Sequence, residues 1–206
     1  MRLLSQYQSK YHISLLSSGK SLEIIKDWKK RDLTFTSGVS INHLSLNEND
    51  IGEFKTFLKL SPPLRKEDDR LKLIDGIKEG IIDIIVSDHK PEDEESKRLT
   101  FQKCASGASG IETFLSLALE QYHNGNLELK TIIKCLTENP AKIFGINGGS
   151  LEPGKPADIV ILDLEKPWVV KRENMKSKSK NTAIENKKLQ GKVEKTFLNG
   201  KLVFEI

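Results

Sequence analysis

The chain has 206 residues, of which 37% are hydrophobic and 30% are charged. This length suits one domain or one and a half small ones, with a moderate core under a heavily charged surface. The 33 Lys and Arg residues and the 29 Asp and Glu residues leave a net charge of +4, which is too small to indicate a nucleic-acid-binding module.

Two sequence features bear on the compartment. Cys104 and Cys135 are the only cysteines and lack the spacing of a metal site, which indicates a reducing compartment and no disulfide framework. The first ten residues contain no apolar stretch long enough for a signal peptide, and no run approaches the length of a membrane span. We therefore expect a soluble, cytoplasmic protein that binds neither membrane nor nucleic acid.

The first 90 residues alternate between strand-like and helix-like patterns. After the end of a helix at Leu3, Leu4 and Tyr7, strands are predicted over residues 11–16, 33–39, 57–60 and 82–87. Helices are predicted over residues 21–30 and 67–78, with buried faces formed by Leu22, Ile25, Trp28, Leu71, Ile74 and Ile77. This alternation favours parallel βα units, about four in number.

Residues 81–92, with the sequence IIDIIVSDHKPE, include the most apolar of these strands. A short run of β-branched residues is typical of a strand that is covered on both faces of a parallel sheet. The run stops at Ser87, and Asp88 and His89 follow. In α/β barrels the chemistry lies where such strands end, so both side chains are candidate functional groups. The alternative is that Asp88 caps the next turn and His89 lies on the surface.

The second half of the chain has a different character. Residues 90–103 have the charged, irregular composition of a mobile loop, and the small residues 106–110 lead into a helix over residues 111–122. Two further helices are predicted over residues 127–137 and 140–144. Two glycine- and proline-containing pairs, Gly148-Gly149 and Pro153-Gly154, then mark a boundary.

Strands follow this boundary, over residues 157–162, 168–170, 192–198 and 202–204. Asn199-Gly200 between the last two strands is a strong signal for a two-residue hairpin turn. Residues 171–188 are rich in Lys and Asn and are predicted to form a long surface loop. An interaction surface is the alternative for that segment.

Several motifs occur in the order found in the C-terminal half of dihydroorotases, a family of amidohydrolases. They are YHIS (11–14), VSINHLSL (39–46), KLSPPLR (59–65), IDIIVSDHKP (82–91), SGASGIET (106–113), NPAKIFGI (139–146), GSLEPGKPADIVILD (149–163) and SKSKNTAIENKKLQGKV (177–193). The chain resembles that family over nearly its whole length. The resemblance implies an α/β fold: the C-terminal half of a TIM-type (β/α)8 barrel over residues 1–147, then a segment of the family's small β-sandwich over residues 148–206.

The resemblance also implies an activity. Dihydroorotases are zinc enzymes of pyrimidine biosynthesis that interconvert carbamoyl aspartate and dihydroorotate by closing or opening a cyclic amide. Zinc lowers the pKa of its bound water to about 7, so a metal-bound hydroxide can attack the ring carbonyl. Asp88 matches the family's eighth-strand Asp, which binds the metal and takes the proton from that water. Asp88 is therefore the implied metal ligand and catalytic base.

At the family's other metal positions this sequence departs from the pattern. In the family's H-x-x-H motif the second His binds zinc, and here His12 matches the first His and Leu15 the second. Asn42 replaces the ligating first His of the family's H-H pair, and His43, the second, is a weak substitute because a shift by one position turns its side chain to another face. Leu cannot bind zinc, and a neutral amide binds it poorly. His12 is predicted to be a packed or hydrogen-bonded core residue, and His123 to lie at a helix end, where a cation suits the dipole.

The substrate-binding positions are changed as well. Ser61 replaces the family's Asn before Pro-Pro, and Glu92 replaces a His that contacts the substrate carboxylate, which the charge of Glu92 would repel. Ser106 and Gly107 keep the small loop whose backbone can hold the substrate. Among the polar side chains that carry the family's chemistry, only Asp88 remains.

The resemblance places the family's first four barrel units, with their H-x-H zinc ligands, before residue 1, and no H-x-H occurs in the chain. Half a barrel leaves unpaired strand edges near residues 11–16 and 82–87. We therefore expect this chain to be part of a longer one, or to be completed by another polypeptide in a homo- or hetero-oligomer.

Two functions stay open at this point. The first is a weakly active or inactive dihydroorotase, which would act on a small-molecule substrate. The second is a dihydroorotase-like scaffold subunit without zinc, of the kind that partners aspartate transcarbamoylase in this family. The two lost His ligands and the acidic Glu92 favour the scaffold.

Overall fold

Three parallel strands form the sheet that carries the candidate site. The computed structural model describes residues 3–7, 9–31 and 35–206. The strands of this sheet, in spatial order, are β1 (Tyr11–Leu16), β2 (Phe35–Ser40) and β3 (Ile84–Val86). Tyr11 pairs with Phe35, and Ser40 pairs with Val86. The predicted parallel arrangement is confirmed, while Leu33, the predicted start of β2, lies outside the described residues.

Helices pack around this sheet. They are α1 (Gly19–Lys29), α2 (Ile41–Ser45), α3 (Glu67–Lys78), α4 (Glu94–Lys97), α5 (Phe114–His123), α6 (Leu129–Leu136) and α7 (Glu138–Phe144). Single 3-10 turns lie at Glu48–Ile51, Thr56–Leu58 and Arg172–Asn174. Ser18 caps α1 by accepting a hydrogen bond from the Ser21 backbone N–H, as its residue type favours. The five helices predicted after residue 20 are all present.

The core lies between the sheet and its helices. Residues without exposed surface include Val39, Ile41, Leu44, Leu117, Ala118 and Ile132, which come from β2, α2, α5 and α6. Helix α3 buries Leu73, Ile74 and Ile77, whereas Leu71 is 45% exposed. The prediction for Leu71 is therefore wrong, because Leu73 occupies the buried face in its place.

The predicted strand over residues 57–60 is wrong. Thr56–Leu58 is a 3-10 turn, and β2 pairs directly with β3, so the described part of this sheet has three strands instead of four. The Lys59 carbonyl accepts a hydrogen bond from Gly107 N at 2.9 Å. This segment thus bonds to a loop instead of joining the ladder, and Pro62 and Pro63 stop any continuation.

Two other predictions need correction. Strand β3 is shorter than the predicted range 82–87, because the Asp83 carboxylate accepts a hydrogen bond from Ser37 N at 2.7 Å and pairs with Lys29 Nζ at 3.1 Å. The predicted helix end at Leu3, Leu4 and Tyr7 is a turn, in which Tyr7 N donates to the Leu3 carbonyl. Leu3 and Tyr7 are mostly exposed and only Leu4 packs against the core, so little packing supports a longer helix.

A second sheet is antiparallel. Its strands are β4 (Ile159–Val169), β5 (Lys188–Leu198) and β6 (Lys201–Glu205), in that order. The predicted strands over residues 157–162 and 168–170 are one strand whose register shifts between Asp163 and Pro167. The predicted hairpin is confirmed: Asn199 and Gly200 both have positive φ, 50° and 77°, as a two-residue turn of this type requires.

Helix α5 joins the two sheets. Ser116 Oγ donates to the Gly191 carbonyl of β5 at 2.7 Å and accepts from Trp168 Nε1 of β4 at 3.1 Å. Because Ser116 is buried, both bonds are shielded from water, and they fix the antiparallel sheet against the helix.

The segment over residues 171–188 differs from the predicted surface loop. Met175, Asn181, Thr182 and Ile184 are buried, so its middle packs on the rest of the molecule. None of the helices in the described part of the chain is both long and apolar enough to cross a membrane.

Candidate functional site

The register of the parallel sheet sets two polar residues side by side at its carboxyl edge. Ser40 and Val86 pair at the ends of β2 and β3, and Asn42 and Asp88 each follow two residues later. Ser40 Oγ accepts a hydrogen bond from Asn42 N at 3.2 Å and so starts helix α2. Asp88 has a φ of +47°, a left-handed conformation that Asp tolerates better than most residues. The sequence therefore located this edge of the sheet correctly.

Asp88 forms an ion pair that the sequence did not predict. Its side chain is only 6% exposed, and its Oδ1 lies 2.9 Å from Lys90 Nζ. The same ammonium donates to the Ser61 carbonyl at 3.1 Å. The alternative role for Asp88, a cap of the next helix, belongs instead to Asp93, whose carboxylate accepts from the first backbone N–H groups of α4. The buried Asp88 carboxylate is thus held by a cation from its own chain.

Two neighbouring buried side chains have unused polar atoms. Asn42 and His43 are each 3% exposed. His43 Nε2 donates to the Pro62 carbonyl at 3.0 Å. Asn42 Nδ2 and His43 Nδ1 have no hydrogen-bond partner among the described residues. Burial lowers the pKa of His43, against the opposing effects of the Pro62 carbonyl and the charge of Asp88, so this imidazole is neutral at pH 7.

The other three histidines have structural contacts. His12 lies near the amino end of β1, away from Asp88, with Nδ1 2.8 Å from Thr36 Oγ1 and its ring edge-on to Phe144; it is hydrogen-bonded, as predicted. His89 Nδ1 accepts from the backbone N–H groups of Gly110 and Ile111, at 3.1 and 3.3 Å. His123 closes α5 and lies 3.1 Å from the Leu164 carbonyl.

The predicted substrate loop packs tightly along the segment after β3. Lys90 N donates to the Ala108 carbonyl at 2.9 Å, and Gly107 N donates to the Lys59 carbonyl at the same distance. Gly107 has a φ of +149°, and a Cβ there would lie 2.6 Å from the Lys90 carbonyl oxygen. Ser106 is half-buried and Ser61 is exposed. The structure thus brings Ser61, Gly107 and Asp88 together around Lys90.

Residues 176–182 form a closing segment over this loop, and Asn181 is its centre. The Asn181 side chain is buried, accepts from Glu92 N and Ser109 Oγ at 3.2 Å, and donates to the Gly107 carbonyl at 3.1 Å. Ser179 Oγ donates to the Glu92 carbonyl. Glu92 is therefore tied through its backbone, while its carboxylate is partly exposed.

Residues 90–103 are not the mobile loop that their composition suggests. Lys97 ends α4 and is 1% exposed. Its ammonium donates to the carbonyls of Ala105, Thr56 and Lys59, at 2.8, 3.1 and 3.4 Å. Burial lowers the pKa of this lysine. The ammonium thus joins three backbone segments around the substrate loop.

Comparison with known proteins identifies the family. A model of the amidohydrolase family matches residues 6–203. The chain belongs to the amidohydrolase family. The chain is 43% identical to a dihydroorotase of Ehrlichia chaffeensis over 195 residues, which cover 95% of this chain and 44% of that protein. It is 41% identical to a dihydroorotase of Aquifex aeolicus, over 94% of this chain and 46% of that protein. The resemblance to dihydroorotases is confirmed, and the chain spans about half the length of these relatives.

Solved structures agree with this assignment of the fold. An L-hydantoinase from Arthrobacter aurescens superposes with a TM-score of 0.87 at 28% identity, over 94% of this chain and 44% of that one. A dihydropyrimidinase from Brevibacillus agri superposes with a TM-score of 0.92 at 21% identity, over 99% of this chain and 46% of that one. The amidohydrolase fold is therefore shown for this chain.

The residues present do not fit the zinc that dihydroorotases imply. Leu15 offers no donor atom, and Asn42 offers only an amide. The Asp88 carboxylate forms an ion pair with Lys90, and His43 Nε2 donates a hydrogen bond to the Pro62 carbonyl. In the described ranges of the chain, no three His, Cys, Asp or Glu side chains lie close enough together to hold a metal ion.

Sequence reasoning missed three residues of this candidate site: Lys90, Lys97 and Asn181. Lys90 carries a weak signal, a basic residue two positions after the acid that ends a buried strand. Asn181 lies in the segment that resembles the family's closing loop, which indicates the place but not the contact. Lys97 carries no signal, because its partners are backbone carbonyls.

Asn181→Ala is expected to lower the free energy of unfolding by about 2 kcal/mol, because Glu92 N and the Gly107 carbonyl lose their partner inside a buried network. Urea denaturation followed by circular dichroism measures the change. Asn174→Ala is the matched control, since Asn174 is exposed, and its midpoint should stay at that of the parent. Equal midpoints for the two variants would show that the closing segment adds nothing to stability.

Proposed function

We propose that this chain is a dihydroorotase-type cyclic amidohydrolase of pyrimidine biosynthesis whose hydrolytic activity is weak or absent. In this proposal residues 1–147 correspond to the C-terminal half of the family's barrel and residues 148–206 to a segment of its β-sandwich. Three parallel strands with their helices in the first range and an antiparallel sheet in the second support this division. Carbamoyl aspartate and dihydroorotate are the proposed small-molecule substrates of the parent activity.

The observation that carries the proposal is the state of Asp88. Hydrolysis of a cyclic amide needs an activated water and a carboxylate that is free to take its proton. Here the carboxylate that matches the family's base is buried and bound to Lys90 at 2.9 Å. Leu15 and Asn42 stand at two positions where the family has imidazole ligands. A carboxylate that is already paired with an ammonium, beside positions that lack imidazole, is a poor base for this reaction.

Metal content and turnover test this proposal together. The purified chain is expected to carry zinc far below one equivalent after dialysis against zinc, measured by mass spectrometry, and to leave dihydroorotate unhydrolysed in an absorbance assay. The dihydroorotase of Ehrlichia chaffeensis, treated in the same way, is the positive control. One or two equivalents of tightly bound zinc together with turnover would refute the proposal.

A scaffold role is the second candidate, favoured by exposed apolar side chains on the two edge strands of the antiparallel sheet. Six apolar side chains of β4 and β6 are 37–55% exposed: Ile159, Val160, Ile161, Leu202, Val203 and Phe204. Edge strands that carry exposed apolar side chains favour contact with another polypeptide. The resemblance names aspartate transcarbamoylase as the partner. Co-elution of the two proteins on size exclusion would support the scaffold, and separate elution at micromolar concentrations would reject that partner.

A further inference from the structure

The strongest unexplained contact at the site is the one made by Lys90. Its ammonium lies 2.9 Å from a carboxylate oxygen of Asp88 and 3.1 Å from the Ser61 carbonyl oxygen. The lysine side chain is 43% exposed, whereas the carboxylate is 6% exposed. A positive group therefore sits between two oxygen atoms at the solvent side of a buried acid.

We propose that the Lys90 ammonium takes the place of the metal ion as the resident cation of this site. The inference rests on the proposed loss of metal-dependent hydrolysis and names what replaced the metal. A buried carboxylate needs a counter-charge, because an unpaired ion is strongly disfavoured away from water. The chain supplies that charge itself, so the site remains folded without a metal.

The neighbouring residues are consistent with an internal cation. Leu15 and Asn42 carry no charge and offer no strong metal donor, and no group of three His, Cys, Asp or Glu side chains in the described part of the chain could hold a metal ion in competition with the ammonium. Lys90 N also donates to the Ala108 carbonyl, which fixes the backbone from which the side chain reaches Asp88. An ordinary surface ion pair contributes little, but here one partner is buried.

A double-mutant cycle tests the role of the ammonium in stability. Lys90→Met leaves a buried carboxylate without a cation and is expected to lower the melting temperature by about 4–8 °C. Asp88→Asn leaves a partly exposed ammonium with the Ser61 carbonyl and should lower it by about 2 °C or less. The double variant should recover most of the loss seen in Lys90→Met.

The matched control for this cycle is Lys78→Met. Lys78 pairs with Asp75 at 3.0 Å, and both side chains are more than half exposed. Its melting temperature should stay within about 1 °C of the parent. A Lys90→Met variant that melts no lower than Lys78→Met would overturn the proposal.

Metal binding tests the replacement itself. In the full chain, Leu15→His with Asn42→His restores two imidazoles, and Zn²⁺ affinity is measured by calorimetry against a competing chelator. Adding Lys90→Ala should tighten Zn²⁺ binding by at least about tenfold, since two like charges at one site repel each other. Adding Lys78→Ala should leave the affinity unchanged. If the double-histidine chain does not fold, Asn42→His alone is compared with and without Lys90→Ala.

The outcomes separate this inference from the proposed function. Equal Zn²⁺ affinity with and without Lys90 would overturn the inference and leave the proposed loss of hydrolysis standing. Stoichiometric zinc with turnover in the unchanged chain would overturn the proposed function first. Tighter binding only after removal of Lys90 supports the ammonium as the cation of the site.

Discussion

Lys97→Met should lower the free energy of unfolding by about 3 kcal/mol. Methionine has a similar length and fills the space, but it donates no hydrogen bond. The carbonyls of Ala105, Thr56 and Lys59 would each lose a charged donor that now lies 2.8–3.4 Å away. The Thr56 and Lys59 carbonyls keep backbone donors, Lys59 N and Gly107 N, whereas the Ala105 carbonyl loses its charged donor. Removing one side of a buried polar network costs more than exchanging the whole network for an apolar one.

Lys103→Met is the control for this variant, since Lys103 lies on the same loop with an exposed side chain. Its urea midpoint should match that of the parent. If only Lys97→Met loses protection from hydrogen exchange at residues 99–107, the loss of stability arises at the backbone carbonyls that Lys97 binds. Equal stability of the two variants would contradict a structural role for the buried ammonium.

The stability of the parent chain relative to Lys97→Met should change with pH in a defined direction. Burial lowers the pKa of Lys97 in the folded chain below its ordinary value of 10.5. Between the lowered pKa and the ordinary one, the unfolded chain binds more protons at this group than the folded chain does. Stability from this group therefore rises with pH across that window. We expect the parent to gain stability relative to Lys97→Met as the pH approaches about 10.

The fold was predictable where local pattern and tertiary packing agree. The Ile-rich run that becomes β3 and the Asn199-Gly200 turn have few structural alternatives, so their positions follow from residue type. The segment at residues 57–60 was mispredicted because its apolar residues suit a strand, while its backbone carbonyls bond to Lys97 and Gly107 instead. Such long-range backbone contacts leave no trace in periodicity.

The position of Asp88 just after a parallel strand was predictable, but its ion pair with Lys90 was not. A strand end in a parallel sheet locates Asp88, since chemistry in α/β folds collects there. In the structure the Asp88 carboxylate is paired with the Lys90 ammonium. The sequence does not show whether the Lys90 side chain turns to Asp88 or to solvent. Composition likewise assigns residues 90–103 to solvent, because it counts Lys97 as a surface charge. Only the folded arrangement of carbonyls makes that lysine a core residue.

Gly107→Ala is expected to lower the free energy of unfolding by about 3–5 kcal/mol, at least as much as Lys97→Met. The φ of +149° at this residue is one that side chains disfavour, and the new Cβ would lie 2.6 Å from the Lys90 carbonyl oxygen and 2.9 Å from Lys90 Cβ. Neither atom is the free end of a flexible side chain, so the backbone after β3 must move.

Gly125→Ala separates strain from collision. Gly125 also has a positive φ, +70°, but a Cβ there would meet nothing within 4 Å. Gly125→Ala should lower the free energy of unfolding by about 1 kcal/mol, because only the strain of the left-handed conformation remains. The difference in the free energy of unfolding between the two variants, measured by denaturation, gives the cost of the clash with Lys90. A Gly107→Ala variant that is destabilised no more than Gly125→Ala would refute the clash. A large difference would mean that the loop keeps its glycine for packing against Lys90, independently of any substrate.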